Sequence, residues 1–172
     1  MKKQHYLIML LLILTSFTSC EKDDFSYSND FEKSYKAWTD FKLSSNDSYR
    51  YTVSTSSWTG TTTATVITVD KGKVVKRSYV AKSTISSSNE VIIHEQWEEQ
   101  GATLHTHPNG SALKTLDEVY QKAKAEWLPK RGNAKSYFET KNDGMISSCG
   151  YVENNCADDC FVGITITTIA KL

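Results

Sequence analysis

Thr61-Thr62-Thr63-Ala64-Thr65-Val66-Ile67-Thr68-Val69-Asp70-Lys71-Gly72-Lys73-Val74-Val75-Lys76-Arg77-Ser78-Tyr79-Val80 is the stretch that decides the fold. Its first half is rich in Thr and Val, whose branched side chains suit a pleated, half-buried surface. Asp70-Lys71-Gly72 is a tight turn with Gly72 suited to a positive φ, and Lys73 to Val80 returns as the partner strand. Upstream, Tyr49-Arg50-Tyr51-Thr52-Val53 alternates as another strand, set off by the polar break Ser44 to Ser48. Before that break, Phe31, Tyr35, Trp38 and Phe41 recur at helical spacing. They form one apolar stripe on a helix from Asp30, capped by Asn29 or Asp30 and packed on a sheet.

Downstream, Ser83 to Asn89 reads as a polar loop, and Val91-Ile92-Ile93 begins a strand that can run through Trp97. Thr115-Leu116-Asp117-Glu118 opens a second helix with a capping box, in which Thr and Glu each satisfy a free backbone N–H. Leu116, Val119, Tyr120, Ala123 and Trp127 make its buried face, and Pro129 ends it. Ala134 to Glu139, Met145–Val152 and Phe161–Ile169 complete the strands, with the Asn142-Asp143-Gly144 turn between the first two. The expected fold is α+β: two helices packed on a mostly antiparallel sheet of about six strands.

The N-terminus carries an address. Met1-Lys2-Lys3 is followed by an apolar run from Tyr6 to Leu14 and small polar residues ending in Ser19-Cys20. A basic start, a short apolar core and a small residue before the cut describe a signal peptide; a spanning helix needs about 20 apolar residues. Phe17-Thr18-Ser19-Cys20 resembles the lipobox of bacterial lipoproteins, with Phe17 where Leu is usual. The resemblance implies cleavage after residue 19, lipid (palmitate among its acyl chains) on Cys20, and an envelope protein held to the outer membrane. Glu21-Lys22-Asp23-Asp24 is similar to the acidic surface-export stretches of lipoproteins in the Bacteroidetes group, which implies display outward. Physically it is a solvated tether, so residues 20–29 are expected as tether and 30–172 as a single domain.

Lys2 and Lys3 leave with the signal, so the balance of 20 basic and 20 acidic residues turns slightly acidic. That leaves no basic footprint for nucleic acid. Cys149, Cys156 and Cys160 stay after lipidation of Cys20. In an oxidising compartment close pairs become disulfides, and an odd count leaves one over. If 145–152 and 160–169 form a hairpin, Cys149 and Cys160 face each other across it and are the preferred pair, with Cys156 the alternative partner.

Leu104-His105-Thr106-His107-Pro108 resembles the His-x-His-Pro core of JAMM-type metalloproteases. In that family two His and a later Asp bind zinc, and an upstream Glu activates water, which is chemistry suited to neutral imidazoles, a carboxylate and one open position. The family's later Ser and Asp fall on Thr115 and Glu118 here, and both already serve the capping box. Glu95, Glu98 and Glu99 lie upstream, and His94 is nearby. The reading adopted is a polar loop between a strand and a helix, with His105 and His107 kept as metal candidates. Glu153-Asn154-Asn155-Cys156-Ala157-Asp158-Asp159-Cys160 can offer oxygens to Ca²⁺, chiefly Asp158 and Asp159. It lacks EF-hand spacing, and turn chemistry alone accounts for an Asn- and Asp-rich hairpin tip. There is no nucleophile elbow and no phosphate-cradling Gly loop. No catalytic residue and no cofactor is expected.

Trp38, Tyr49-Arg50-Tyr51, Val69-Asp70-Lys71-Gly72-Lys73-Val74, Thr115-Leu116-Asp117-Glu118-Val119-Tyr120 and Ala157-Asp158-Asp159 occur in that order. Together they resemble the family catalogued as domain of unknown function 6174, found in small exported bacterial proteins, across residues 30–170. The cysteines around the last motif depart from the family's commoner pattern. The resemblance implies a fold and an export route and brings no catalytic residues. The expectation is a membrane-anchored, non-enzymatic binding or structural module; the alternatives are a zinc hydrolase using His105 and His107, or a calcium-stabilised surface module.

Overall fold

The computed structural model describes residues 25–158 and 160–172. Helix α1 spans Ser28–Ser44 and helix α2 spans Leu116–Lys122. The strands are β1 (Tyr49–Ser56), β2 (Thr61–Asp70), β3 (Lys73–Ile85), β4 (Glu90–Gln100), β5 (Ala134–Glu139), β6 (Ser148–Glu153) and β7 (Val162–Lys171). They form one seven-stranded antiparallel sheet in the order β4-β3-β2-β1-β7-β6-β5. The chain is therefore α+β, with seven strands where about six were expected.

The Thr61–Val80 hairpin forms as read, with Asp70 opposite Lys73 and Gly72 at φ 75. Register then fixes one buried face. Tyr49, Tyr51 and Val53 of β1 stand beside Val69, Ile67 and Thr65 of β2, and these six are all buried. The helices cover this face. Trp38 of α1 is wholly enclosed, its ring edge-on to Tyr49 at 5.0 Å, and its Nε1–H donates to Asp117 Oδ1 at 2.9 Å. Leu116, Val119 and Tyr120 of α2 fill the space beside it. Burying each large apolar side chain contributes about 1.5–3 kcal/mol, so this aromatic layer is the main source of cohesion.

Several boundaries differ from the sequence reading, each for a physical reason. The stretch read as tether to residue 29 is part of the domain from residue 25. Phe25 is buried edge-on against Phe31 at 5.3 Å, and Ser26 N–H donates to the Leu128 carbonyl at 2.9 Å. Helix α1 starts at Ser28 after Tyr27, whose left-handed backbone (φ 65) turns the chain in without a side-chain cap. Of Ser83 to Asn89, residues 86–89 form the turn as read, but β3 runs on to Ile85, which pairs with Glu90 of β4. Strand partners override the polar composition there. Helix α2 is shorter than expected and continues as a π-turn, Ala123–Trp127, with Leu128 N–H bonded back to the Ala123 carbonyl at 2.9 Å. Met145 to Ser147 leads into β6 rather than belonging to it.

The expected Cys149–Cys160 disulfide is corrected. Cys149 faces Ile164 across the β6–β7 pair and is fully buried, whereas Cys160 stands before β7 begins. Cys156 and Cys160 are bonded instead, with their Cα atoms 6.0 Å apart, and Cys149 is free. Burial pushes the Cys149 thiol up to about 12, so it is a core hydrophobe and not a nucleophile.

The sheet also divides. The lower half of β7, from Ile166 to Lys171, pairs with β1, but that ladder stops at Val53. The upper half, Val162 to Thr165, pairs only with β6 on its other side. A bulge at Thr52/Val53 starts the divergence. Above it, the β1–β2 and β6–β7 hairpins stand as two wings.

Candidate functional site

The residues between β4 and α2 form a strap across the buried face of β2, β3 and β4. Its anchor is Glu99, which strand alternation points inward and which is 1% exposed. Arg77, opposite it on β3, is also buried and donates from Nε to Glu99 Oε1 at 2.7 Å. The rest of the guanidinium holds the strap, with Nη1 on the Ser111 carbonyl at 3.0 Å and Nη2 on the His107 carbonyl at 2.9 Å. The carboxylate takes the backbone N–H groups of His105 (3.0 Å) and His107 (3.2 Å). Burial alone would raise the Glu99 pKa. The Arg77 bond and the two backbone donors outweigh burial and hold the carboxyl at about 2.

Further along, Ser111 N–H donates to Thr65 Oγ1 at 3.0 Å, Tyr51 Oη donates to the Lys114 carbonyl at 2.6 Å, and Leu116 N–H donates to Tyr49 Oη at 2.8 Å. Gly110 sits at φ 88, and a Cβ there would meet Tyr79, Thr65 and Trp97 within 3.2–3.4 Å. Only Gly lets the strap lie this close to the sheet.

This explains the His-x-His segment. His107 stacks on Trp97 with ring centroids 4.3 Å apart and 8° between planes, and its Nδ1 lies 3.2 Å from Glu99 Oε2. His105 turns the chain at φ 72. The positions matching the metalloprotease pattern are occupied otherwise: Glu118 accepts from Thr115 N–H at 2.7 Å and from Thr115 Oγ1 at 3.0 Å, closing the capping box. Glu95 accepts from Trp97 Nε1 and Asn109 Nδ2, Glu98 pairs with Lys76, and His94 bonds Ser83. The structure therefore brings His105 and His107 together with Glu99, in an arrangement that satisfies backbone and ion-pair needs. Among the described residues no group of three or more His, Cys, Asp or Glu is placed to hold a metal ion.

At the far hairpin, Glu153 and Asp158 are exposed, and Asn154 N–H bonds the Asn133 carbonyl at 2.8 Å. Asp159 lies outside the described residues, as do Cys20 and residues 1–24 that carry the address.

The strap's end, the π-turn and the two wings enclose a cleft of about 1200 Å³. Ligand sites commonly measure about 300–1,000 Å³, and this cleft is above that range and open to solvent. Its β1–β2 wall presents Val53, Thr55 and Thr63, and its β6–β7 wall presents Phe161 and Ile164. Ser111 and Lys114 of the strap close one end, with Trp127 beside them. The β6–β7 wall is built closely. Gly150 and Gly163 face each other across the strands, and the Phe161 ring fills the space their side chains would need. The Cys156–Cys160 disulfide closes the tip of the same wing, and Cys160 itself lines the cleft.

No protein-family model, curated protein or solved structure matches this chain. The cleft and its strap must be read from their own chemistry. The charged residues along the cleft are Lys82, Lys114 and Lys122, with no carboxylate among the described lining residues. Hydroxyls from Ser and Thr supply the other polar groups, and no nucleophile–base pair is found there.

Sequence reasoning missed both Arg77 and the cleft. Arg77 had a signal: it alternates with Tyr79 on the inward side of β3, while Glu99 alternates with Trp97 on β4. Opposite charges at inward positions of neighbouring strands mark a buried pair. The cleft had no signal, because it depends on where the β1–β7 ladder stops.

Proposed function

We propose that this protein is a lipid-anchored envelope module that binds a partner through the cleft between its two sheet wings and performs no chemistry of its own. The observation that carries the reading is the cleft: a large, hydroxyl-lined and lysine-bearing recess, one wall of which is closed by a disulfide. Three features support a binding role over catalysis. The His107 ring and Glu99 are engaged with each other and Glu99 with the strap's backbone, the Cys149 thiol is buried, and the lining offers lysines and hydroxyls without an activating base. The lipobox-like Phe17-Thr18-Ser19-Cys20 supports anchoring. Among the described residues no helix is long and apolar enough to cross a membrane.

Replacing Cys20 with Ala in the full-length chain, expressed in an exporting bacterium, tests the anchor. The expected outcome is a shift of the protein from the membrane fraction to the soluble fraction. Retention of the Cys20→Ala variant in washed membranes would show that something other than this lipid holds it.

A further inference from the structure

The two walls of the cleft share a property that a pocket for a small molecule does not need. Each ends in a strand edge without a ladder partner. On β1, pairing towards β7 stops at Val53, leaving Ser54 to Ser56 unpaired on that side. On β7, pairing towards β1 starts only at Ile166, leaving Val162 to Thr165 unpaired on the side that faces β1. Ser54 to Ser56 and Gly163 to Thr165 line the cleft. At about 3.4 Å per residue the β7 edge offers roughly 13 Å of backbone. Unpaired strand edges are templates for another strand, and this one is recessed, where pairing with a second globular copy is hindered but an extended segment can enter.

We infer that the cleft takes an extended, acidic peptide segment, which adds as a strand along the Val162–Thr165 edge of β7. Two independent observations set the chemistry of this occupant. The open edge of β7 supplies main-chain donors and acceptors, the source of affinity in strand addition. Of the lysines around it, Lys122 is already paired with Glu126 at 2.9 Å, and Lys82 and Lys114, without a carboxylate among the described lining residues, favour Asp or Glu on the incoming segment. Phe161, which is 40% exposed, offers apolar surface for the alternate side chains that an extended segment presents to one face. The β6–β7 wing is held by its disulfide and by the Phe161–glycine packing, so the edge is formed before the segment arrives. That lowers the ordering cost of binding.

The inference rests on the cleft being a binding site, and the test separates the two. The probes are fluorescent synthetic octapeptides of alternating Thr and Val, carrying either two Glu or two Lys, titrated into the full-length, oxidised chain. Backbone amide NMR shifts are followed in parallel. The Glu peptide should bind saturably and at least about tenfold tighter than the Lys peptide, with shifts concentrated at Ser54–Ser56 and Val162–Thr165. Methylating the peptide's backbone nitrogens at alternate positions should abolish binding in one register and spare it in the other, because only one set of N–H groups faces the edge. Lys114→Glu should weaken binding of the Glu peptide and narrow its advantage over the Lys peptide, while leaving the unliganded spectrum otherwise intact.

Binding indifferent to N-methylation, or shifts mapping elsewhere, overturns strand addition. A sulfated oligosaccharide is the control. If it shifts the cleft resonances and no peptide does, strand addition is overturned while the cleft stands as a binding site. If neither probe shifts them, strand addition is overturned as well.

Discussion

Arg77→Ala should destabilise the domain by about 3–5 kcal/mol, the cost of leaving one member of a buried ion pair without its partner. For a chain of this size that lowers the melting temperature by about 10 °C or more. The reason lies in what the guanidinium holds. It neutralises Glu99, which is 1% exposed, and carries the His107 and Ser111 carbonyls of the strap. Removing it strands a buried carboxylate and frees two strap carbonyls at once. Replacing both charges, as Arg77→Leu with Glu99→Leu, should cost less than Arg77→Ala alone, because no uncompensated charge is left.

The pH dependence follows with a definite sign. Glu99 has its carboxyl lowered in the folded state from 4.5 to about 2. Its contribution is therefore fully present above about pH 4.5 and is lost as the pH falls through about 2. Thermal melts of the native chain and Glu99→Gln should converge over that window and differ most above it. Parallel curves from pH 6 to pH 2 would contradict the assigned role of the carboxylate.

Trp38→Ala is the second large effect, expected at about 3–5 kcal/mol. The indole has no exposed surface and contacts Tyr49, Phe41 and Tyr120, so truncation leaves a cavity between α1 and the sheet. It also removes the Nε1 donor to Asp117, whose other oxygen is held by Lys42. Trp38→Phe restores part of the volume without the hydrogen bond and should recover more than half of the loss. Leu43→Ala on the same helix, where Leu43 is 76% exposed, should change stability by less than about 0.5 kcal/mol. Chemical denaturation of the three variants measures the series, and equal losses at Trp38 and Leu43 would contradict the packing described.

How much of this was legible in the sequence depended on whether the signal was local. The Asp70-Lys71-Gly72 turn and the Thr115–Glu118 capping box are set by neighbouring residues, and both form as read. The stripe of α1 was legible too, although Tyr35 lies at its edge and is 42% exposed. Features set by distant partners were not legible. Ser83 to Ile85 looks like loop until β4 pairs with it, and Phe25 looks like tether until Phe31 and Pro129 meet it. The cysteines failed for a related reason. A hairpin was correctly placed around them, but the register set Cys149 opposite Ile164, which left Cys160 to pair locally with Cys156. The His-x-His segment had the opposite difficulty. Its residue types are those of a metal site, and only the long-range pairing of Arg77 with Glu99 shows what they are held to.

The cleft is where structure adds most to function, since it arises from a ladder that ends at Val53 rather than from any motif. On the proposed reading, a lysine-bearing recess on a lipid-tethered domain holds a partner at a membrane, which calls for a measurement in the cell. A photocrosslinking residue placed at Thr55, on the cleft wall, is compared with one at Thr39, on the exposed face of α1, in intact cells producing the full-length chain. The expected result is a discrete crosslinked species from Thr55 that is absent from Thr39 and lost when Lys114 is changed to Glu. Crosslinking of equal strength and pattern from both positions, or none from Thr55, would contradict a binding role for the cleft.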